Sequence, residues 1–232
     1  MKLAVMQPYF MPYLGYWQLL GAVDKFIVLD DVAFIPRGWV NRNRILVNGT
    51  AHLFSLPVRQ ASQNRRINEL ELAVDETWLQ RFRRTLQQNY KRAPYFEETW
   101  TLIDAVLAKC CGSLLPCLLD SIHVVARHLE IGTSLELASS LDPDHHGRGQ
   151  ERILALCRRE RAMDYINLPG GRELYDSEAF RCEGLQLGFI EPEEIPYPQP
   201  SAEWTPWLSI IDVMMHLGRD GTRGLLGRYH IN

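Results

Sequence analysis

Leu3-Ala4-Val5-Met6, then Leu14 to Ala22, then Phe26-Ile27-Val28-Leu29-Asp30-Asp31 form the stretch on which the fold turns. The first run reads as a short strand closed by Pro8, whose nitrogen cannot donate to a ladder. Tyr9 to Tyr13 form a Pro-punctuated turn. Leu14, Trp17, Leu20 and Val23 recur at helical spacing and predict one apolar face. The second strand is as apolar as the first and ends at two acids. Strand, loop, helix and strand in such short compass outline a βαβ unit. Neither strand alternates, so both faces of each are expected to be buried, as in a parallel sheet.

Moving outward, Asn48-Gly49 sits between Arg42–Val47 and Thr50–Leu56. Asn-Gly is the preferred two-residue hairpin turn, and it would pair Val47 with Thr50 and Arg44 with Leu53. Strand alternation then sets Arg42 and Arg44 on one face, with Asn41 and Asn43 on the other. The middle of the chain is helical. Trp78, Leu79, Phe82, Leu86 and Tyr90 mark a helix over Glu76–Tyr90, a second is expected from Pro94 to Ala108, and a third from Leu114 to Leu129. Gln150 to Arg161 is amphipathic after a polar loop at Asp142–Gly149. Asp164 to Leu168 reads as a strand ending at Pro169-Gly170-Gly171, and Leu185 to Ile190 as another. The four prolines of Glu191–Pro200 suggest a semi-rigid surface excursion, and Leu208–Leu217 a last apolar helix. The expected plan is one α/β domain over residues 1–232. It has a mostly parallel Rossmann-like sheet, a β-hairpin and a mainly helical insertion at about 76–130.

Composition narrows the function classes. A net charge of −3 gives no general attraction to nucleic acid or to anionic membranes, so any phosphate must meet a local Arg cluster. No apolar run is long enough to span a bilayer, and the N-terminal segment, broken by Pro8 and Pro12, lacks a signal-peptide pattern. The five cysteines include an adjacent pair and no C-x-x-C, a poor disulfide or zinc framework. Reduced, mostly buried thiols and a cytoplasmic location are expected.

Two constellations carry ligand chemistry. The first is Tyr13-Leu14-Gly15-Tyr16, just after the first strand at the start of the first helix, where backbone N–H groups favour an anion. The second is Arg37-Gly38-Trp39-Val40-Asn41-Arg42-Asn43-Arg44, next to Asp30-Asp31. Arg forks take phosphate or carboxylate, Asn reads amides and hydroxyls, and Trp39 offers a stacking face. The competing reading pairs these arginines with Asp30 and Asp31 in a structural ion-pair network. Arg152, at a helix start after Gly147-Arg148-Gly149, is a candidate second phosphate contact. Asp142-Pro143-Asp144-His145-His146 has metal-ligand residue types, but a polar loop explains it as well and no metal is expected.

The position of Tyr13-Leu14-Gly15-Tyr16 matches the H-x-G-H signature of the nucleotidylyltransferase superfamily, with both histidines replaced. More of the chain resembles the WbqC-like family. The likeness rests on Met6-Gln7-Pro8-Tyr9-Phe10-Met11-Pro12-Tyr13-Leu14-Gly15-Tyr16, Asp24 to Asp31, Arg37 to Ile45, Leu174-Tyr175 and Leu208 to Asp212. That resemblance implies a setting in bacterial surface-polysaccharide (O-antigen) gene clusters and no defined reaction. Together they suggest a nucleotide-dependent transferase or ligase that adds an aminoacyl or acyl group to a nucleotide sugar, with ATP or another nucleotide as cofactor. Gln7, Tyr13, Gly15 and Tyr16 would cradle phosphates, Arg42 and Arg44 would hold phosphate or carboxylate, and Asp30 or Asp31 would orient an amine or ribose hydroxyl. The alternative is a non-catalytic protein that binds a nucleotide sugar or a partner enzyme through Trp39 and the Tyr-rich loop.

Overall fold

The computed structural model describes residues 1–201 and 203–232. In chain order the elements are β1 (Lys2–Met6), α1 (Leu14–Ala22), β2 (Lys25–Val28), β3 (Arg42–Val47) and β4 (Thr50–Ser55). Three helices follow, α2 (Glu76–Tyr90), α3 (Phe96–Leu107) and α4 (Leu114–His128). Then come β5 (Ser134–Leu137), α5 (Ala138–Leu141), α6 (Gln150–Arg159), β6 (Asp164–Asn167) and α7 (Ser177–Cys182). The chain closes with β7 (Gln186–Pro192), α8 (Ile210–Leu226) and β8 (Tyr229–Ile231).

Six strands form one sheet in the order β5-β2-β1-β6-β7-β8. All neighbouring pairs are parallel except β7–β8. The expected α/β class and mostly parallel Rossmann-like sheet are therefore present. Alternation along β1 and β2 divides the core. Ala4 and Phe26 pack against α1, α8 and the α2–α4 helices, whereas Leu3, Val5 and Ile27 pack against α6 and α7. Both faces of the sheet are covered, which is why these strands read as unbroken apolar runs. Helix α1 departs from its one-face pattern, since Tyr16, Trp17, Gln18, Leu19 and Leu20 are all buried. Each fully buried large apolar side chain contributes roughly 1.5–3 kcal/mol. Gln18 survives there because its amide donates to the Leu225 and Arg228 carbonyls, both at 2.9 Å.

The hairpin forms its own two-stranded sheet in the expected register, Val47 opposite Thr50 and Arg44 opposite Leu53. Asn48 and Gly49 both take positive φ, as the tight turn demands. Helix α2 has the expected limits, with Asp75 capping its N-terminus by accepting from Trp78 N at 2.7 Å. The last helix runs further than its apolar run suggested, to Leu226, across a break at Gly218 with φ 63°. A Cβ there would collide with the Tyr95 ring, so glycine serves both the turn and the packing. The expectation of five reduced thiols is corrected. Cys110 and Cys117 are joined in a disulfide with Cα atoms 5.0 Å apart, closing the loop between α3 and α4. Cys157 is a buried thiol whose pKa burial pushes up to about 12, while Cys111 and Cys182 are exposed. Among the described residues, no helix is long and apolar enough to cross a membrane.

Asp212, fully buried in α8, ties the hairpin side of the molecule to the segment after β7. Its carboxylate accepts from Tyr90 and Tyr197 hydroxyls, each at 2.7 Å, and from the Gln199 amide at 3.1 Å. Tyr90 Oη in turn accepts from Leu46 N of β3 at 2.8 Å. The 191–200 segment is therefore anchored at Tyr197 and Gln199 and is no free excursion. His216 Nδ1 lies 2.8 Å from the Asp212 carbonyl oxygen and 3.7 Å from Oδ2. Burial alone would lower the His216 pKa, but the Asp212 side chain and carbonyl outweigh it and raise the pKa above the ordinary 6.5. A histidine raised in the folded state adds stability below its unfolded value, and that stability is lost as pH rises through the folded value. Melting of His216→Gln against wild type across this range is expected to show a deficit that is largest in acid and shrinks towards alkaline pH. A pH-independent difference would sink the assignment.

Candidate functional site

The turn after β1 is fixed carbonyl by carbonyl. Tyr16 donates its hydroxyl to the Gln7 carbonyl at 3.1 Å, and Trp17 Nε1 and Ile210 N both donate to the Pro12 carbonyl. The Met11 carbonyl accepts from Asn43 Nδ2 at 2.8 Å and from the Ser209 hydroxyl at 2.7 Å. Met11 takes φ 45°, a left-handed turn that these bonds hold in place. The dense motif from Gln7 to Tyr16 is thus largely scaffolding. Its product is the display of Tyr9 and Tyr13 at the end of β1.

Counting strands outward from β1, the chain first moves through β2 to β5 and then reverses through β6 to β7. In open parallel sheets ligands bind outside the carboxyl ends of the strands at such a reversal. A cleft of about 520 Å³ opens there, between the ends of β1 (Met6, Gln7) and β6 (Asn167, Leu168) and the turn at Gly170-Gly171. Such a volume suits a small-molecule ligand. Tyr9, Tyr13 and Trp39 continue from it into a second lobe of about 370 Å³ that also takes in Asn43, Arg44 and Trp207. Among the described residues, no charged side chain lines the first lobe, and Arg44 is the one charged side chain of the second. Burial raises the Tyr9 and Tyr13 phenols above their ordinary pKa, with the neighbouring Tyr9 adding to the shift at Tyr13. Both are therefore neutral hydrogen-bonding groups at pH 7.

The two sequence constellations meet in this cleft, but not all of their members do. Gln7, Tyr13, Trp39, Asn43 and Arg44 line it. Tyr16 is fully buried, with its hydroxyl spent on Gln7, so it packs α1 onto the sheet. Gly15 is open for the sake of Tyr13, since a Cβ would strike that ring. The cavity that Gly15 does line also holds Glu193 and Glu194, unsuited to phosphate. Arg42 and Arg44 share a face as alternation required, while Asn43 points inward. Arg42 donates Nε to the Gly38 carbonyl at 2.7 Å and lies 5.6 Å over the Trp39 ring. Asn41 Nδ2 donates to the Leu56 carbonyl at 2.7 Å, and Asn43 Nδ2 is committed to Met11, so these amides hold the hairpin rather than project free donors. Arg44 donates Nη2 to the Trp207 carbonyl at 3.2 Å, and its buried Nε has no partner among the described residues.

Asp30 and Asp31 are buried and do not pair with the hairpin arginines. Asp30 accepts from Ser139 N and Oγ and from the Asn68 amide at 2.7–3.0 Å, bracing the ends of β2 and β5. Asp31 Oδ2 accepts from Arg152 Nη2 at 2.6 Å and lies 3.4 Å from His145 Nδ1. Arg152, expected at a phosphate, is itself buried, between Asp31 and Asp142. The ion-pair network anticipated for Asp31 exists, but its arginine comes from α6. His146 pairs with Asp142 at 2.5 Å, so the two adjacent histidines face different carboxylates.

Sequence reasoning missed Tyr9, Asn167, Tyr175 and Trp207, which line the cleft. Asn167 Nδ2 donates to the hydroxyls of Tyr165 and Tyr175 at 2.9 and 3.1 Å, and these two hydroxyls lie 3.0 Å apart. Pro169-Gly170-Gly171 after a strand was the one local signal for this wall. Trp207 stands at φ 59°, stacked edge-on against Tyr13 with ring centroids 5.7 Å apart. A bulky residue in the left-handed region costs energy that its surroundings must hold, and such residues cluster at ligand sites.

A 232-residue alignment matches an uncharacterized protein of Mycobacterium tuberculosis (strain ATCC 25618 / H37Rv) at 27% identity, covering 94% of this chain and 95% of the relative. No solved structure gives a significant match. The family model described as the WbqC-like protein family matches residues 7–224, a span that takes in the second lobe of the cleft and all of the first except Val5 and Met6. The chain belongs to the WbqC-like protein family.

Proposed function

We propose that the protein binds a nucleotide sugar, with the sugar in the switch-point cleft and a phosphate at Arg44, in the service of bacterial surface-polysaccharide assembly. The observation that carries this reading is the division of the cleft. Among the described residues, one lobe is lined by uncharged groups, rich in aromatic faces and amide and phenol groups, and the adjoining lobe presents Arg44 as its one charged side chain. Aromatic faces with hydrogen-bonding edges suit a sugar ring or base, and one arginine suits one phosphate oxygen pair.

A second reading, a nucleotide-dependent acyl or aminoacyl transferase or ligase, draws support from His145. Asp31 lies against its Nδ1, and Arg66 Nη1 is 2.9 Å from its Nε2, at the same carboxyl edge of the sheet. A carboxylate that orients imidazole is the arrangement general bases use. The test is calorimetric titration of wild type and Arg44→Ala with UDP-N-acetylglucosamine, UDP and ATP, followed by ATP–pyrophosphate exchange. A hydrogen bond to a charged group is worth about 1.5–3 kcal/mol, so Arg44→Ala is expected to weaken nucleotide binding about tenfold or more. No binding of any nucleotide by wild type would overturn the reading. Turnover that His145→Gln abolishes without weakening binding would establish the enzyme reading over the binding one.

A further inference from the structure

The Tyr165–Asn167–Tyr175 cluster forms one wall of the first lobe, and its proton count has only one satisfactory solution. Asn167 is 4% exposed and Tyr165 is fully buried. The Asn167 orientation is fixed because its Oδ1 accepts from Leu168 N at 2.7 Å, leaving its two amide hydrogens for the two phenol oxygens. One hydroxyl must then donate to the other. If Tyr175 donated to Tyr165, the Tyr165 proton would be left with the Val5 carbonyl at 3.5 Å, the outer limit of a hydrogen bond. If Tyr165 donates to Tyr175, its buried proton takes the 3.0 Å bond, and the proton left over belongs to the residue that lines the cleft. A buried unpaired donor is the costlier outcome, so the second arrangement wins.

We propose that Tyr175 is a preoriented hydrogen-bond donor of the switch-point cleft, aimed by Tyr165 and Asn167 at a neutral carbonyl or hydroxyl oxygen of the ligand. Gly171 supports the same assignment. A Cβ there would come within 3.2 Å of both the Asn167 amide and the Tyr175 ring, so the bare backbone lets these two side chains close together. A neutral acceptor follows from the lining, because among the described residues this lobe has no cationic side chain to hold an anion. Burial raises the pKa of Tyr175, and bonds from Tyr165 and Asn167 only partly oppose it, so the phenol keeps its proton at neutral pH. An acetamido or hydroxyl oxygen of a sugar is the fitting partner.

The choice of sugar rests on the nucleotide-sugar reading, whereas the direction of the hydroxyl does not, and two measurements separate them. Hydroxyl exchange of the ligand-free protein, followed at the tyrosine ring carbons in H2O–D2O mixtures, is expected to show a slow Tyr165 and a fast Tyr175. Slow exchange at Tyr175 with fast exchange at Tyr165 would overturn the donor assignment whatever the ligand. Calorimetry of Tyr175→Phe is expected to show about a tenfold loss of affinity for UDP-N-acetylglucosamine and an unchanged affinity for UDP. Equal affinity of Tyr175→Phe and wild type for the sugar nucleotide would overturn the role in recognition. Failure of wild type to bind either compound would overturn the nucleotide-sugar reading, and the exchange rates would then decide the donor alone.

Discussion

Replacing Asp212 with alanine is expected to lower the melting temperature by about 10 °C. The change leaves the Tyr90 and Tyr197 hydroxyls and the Gln199 amide without the acceptor they share in a fully buried position. Each stranded buried donor costs about 1–3 kcal/mol, and the loss is expected to total about 3–5 kcal/mol. For a chain of this size each kcal/mol moves the melting point by roughly 2–4 °C. Differential scanning calorimetry would settle it, and a shift under ~2 °C would mean that other groups carry the load. Asp212→Asn should recover part of the loss, because its one amide oxygen still accepts. Both variants should also flatten the pH dependence that His216 confers, since its partner is altered.

Arg152→Ala is expected to be equally damaging, through a different cause. Removing the guanidinium leaves Asp31 facing Asp142 across a site where both carboxylates are buried. Breaking a buried ion pair by deleting one partner costs about 3–5 kcal/mol, because the surviving charge cannot be rehydrated. The same variant decides the role of this arginine. A structural Arg152 predicts a destabilised protein whose folded fraction binds UDP-N-acetylglucosamine as wild type does. A well-folded Arg152→Ala with lost nucleotide affinity would restore it to the phosphate site. Arg152→Lys is a poor rescue, because one ammonium cannot replace a fork set between two carboxylates.

The elements that could be read from the chain share strong local signals. β1, α1 and β2 announce themselves by apolar runs of different length, and the hairpin register follows from one Asn-Gly pair. Strand β5 lacked such a signal. Three of its four residues are only partly buried and one is exposed, so Ser134–Leu137 shows neither an apolar run nor a clean alternation. Strand β8 is three residues long and pairs with β7 only after the whole of α8 intervenes. The site was legible in part for the same reason. Tyr13, Trp39 and Arg44 lie within one N-terminal stretch, whereas Asn167 and Tyr175 reach them only because β6 inserts beside β1. Nothing local marks Arg152 as buried, since it occupies a helix start among Gly, Gln and Glu. Its partner Asp31 stands 121 residues away.

The bond from Asn43 to the Met11 carbonyl also sets a timescale. It fastens the hairpin wall to the turn after β1, so the second lobe of the cleft is already shaped before anything enters. A ligand that meets a finished wall gives up little free energy to ordering the protein. Capture should therefore follow a single bimolecular phase, linear in ligand concentration. Related ligands should then differ chiefly in how long they stay.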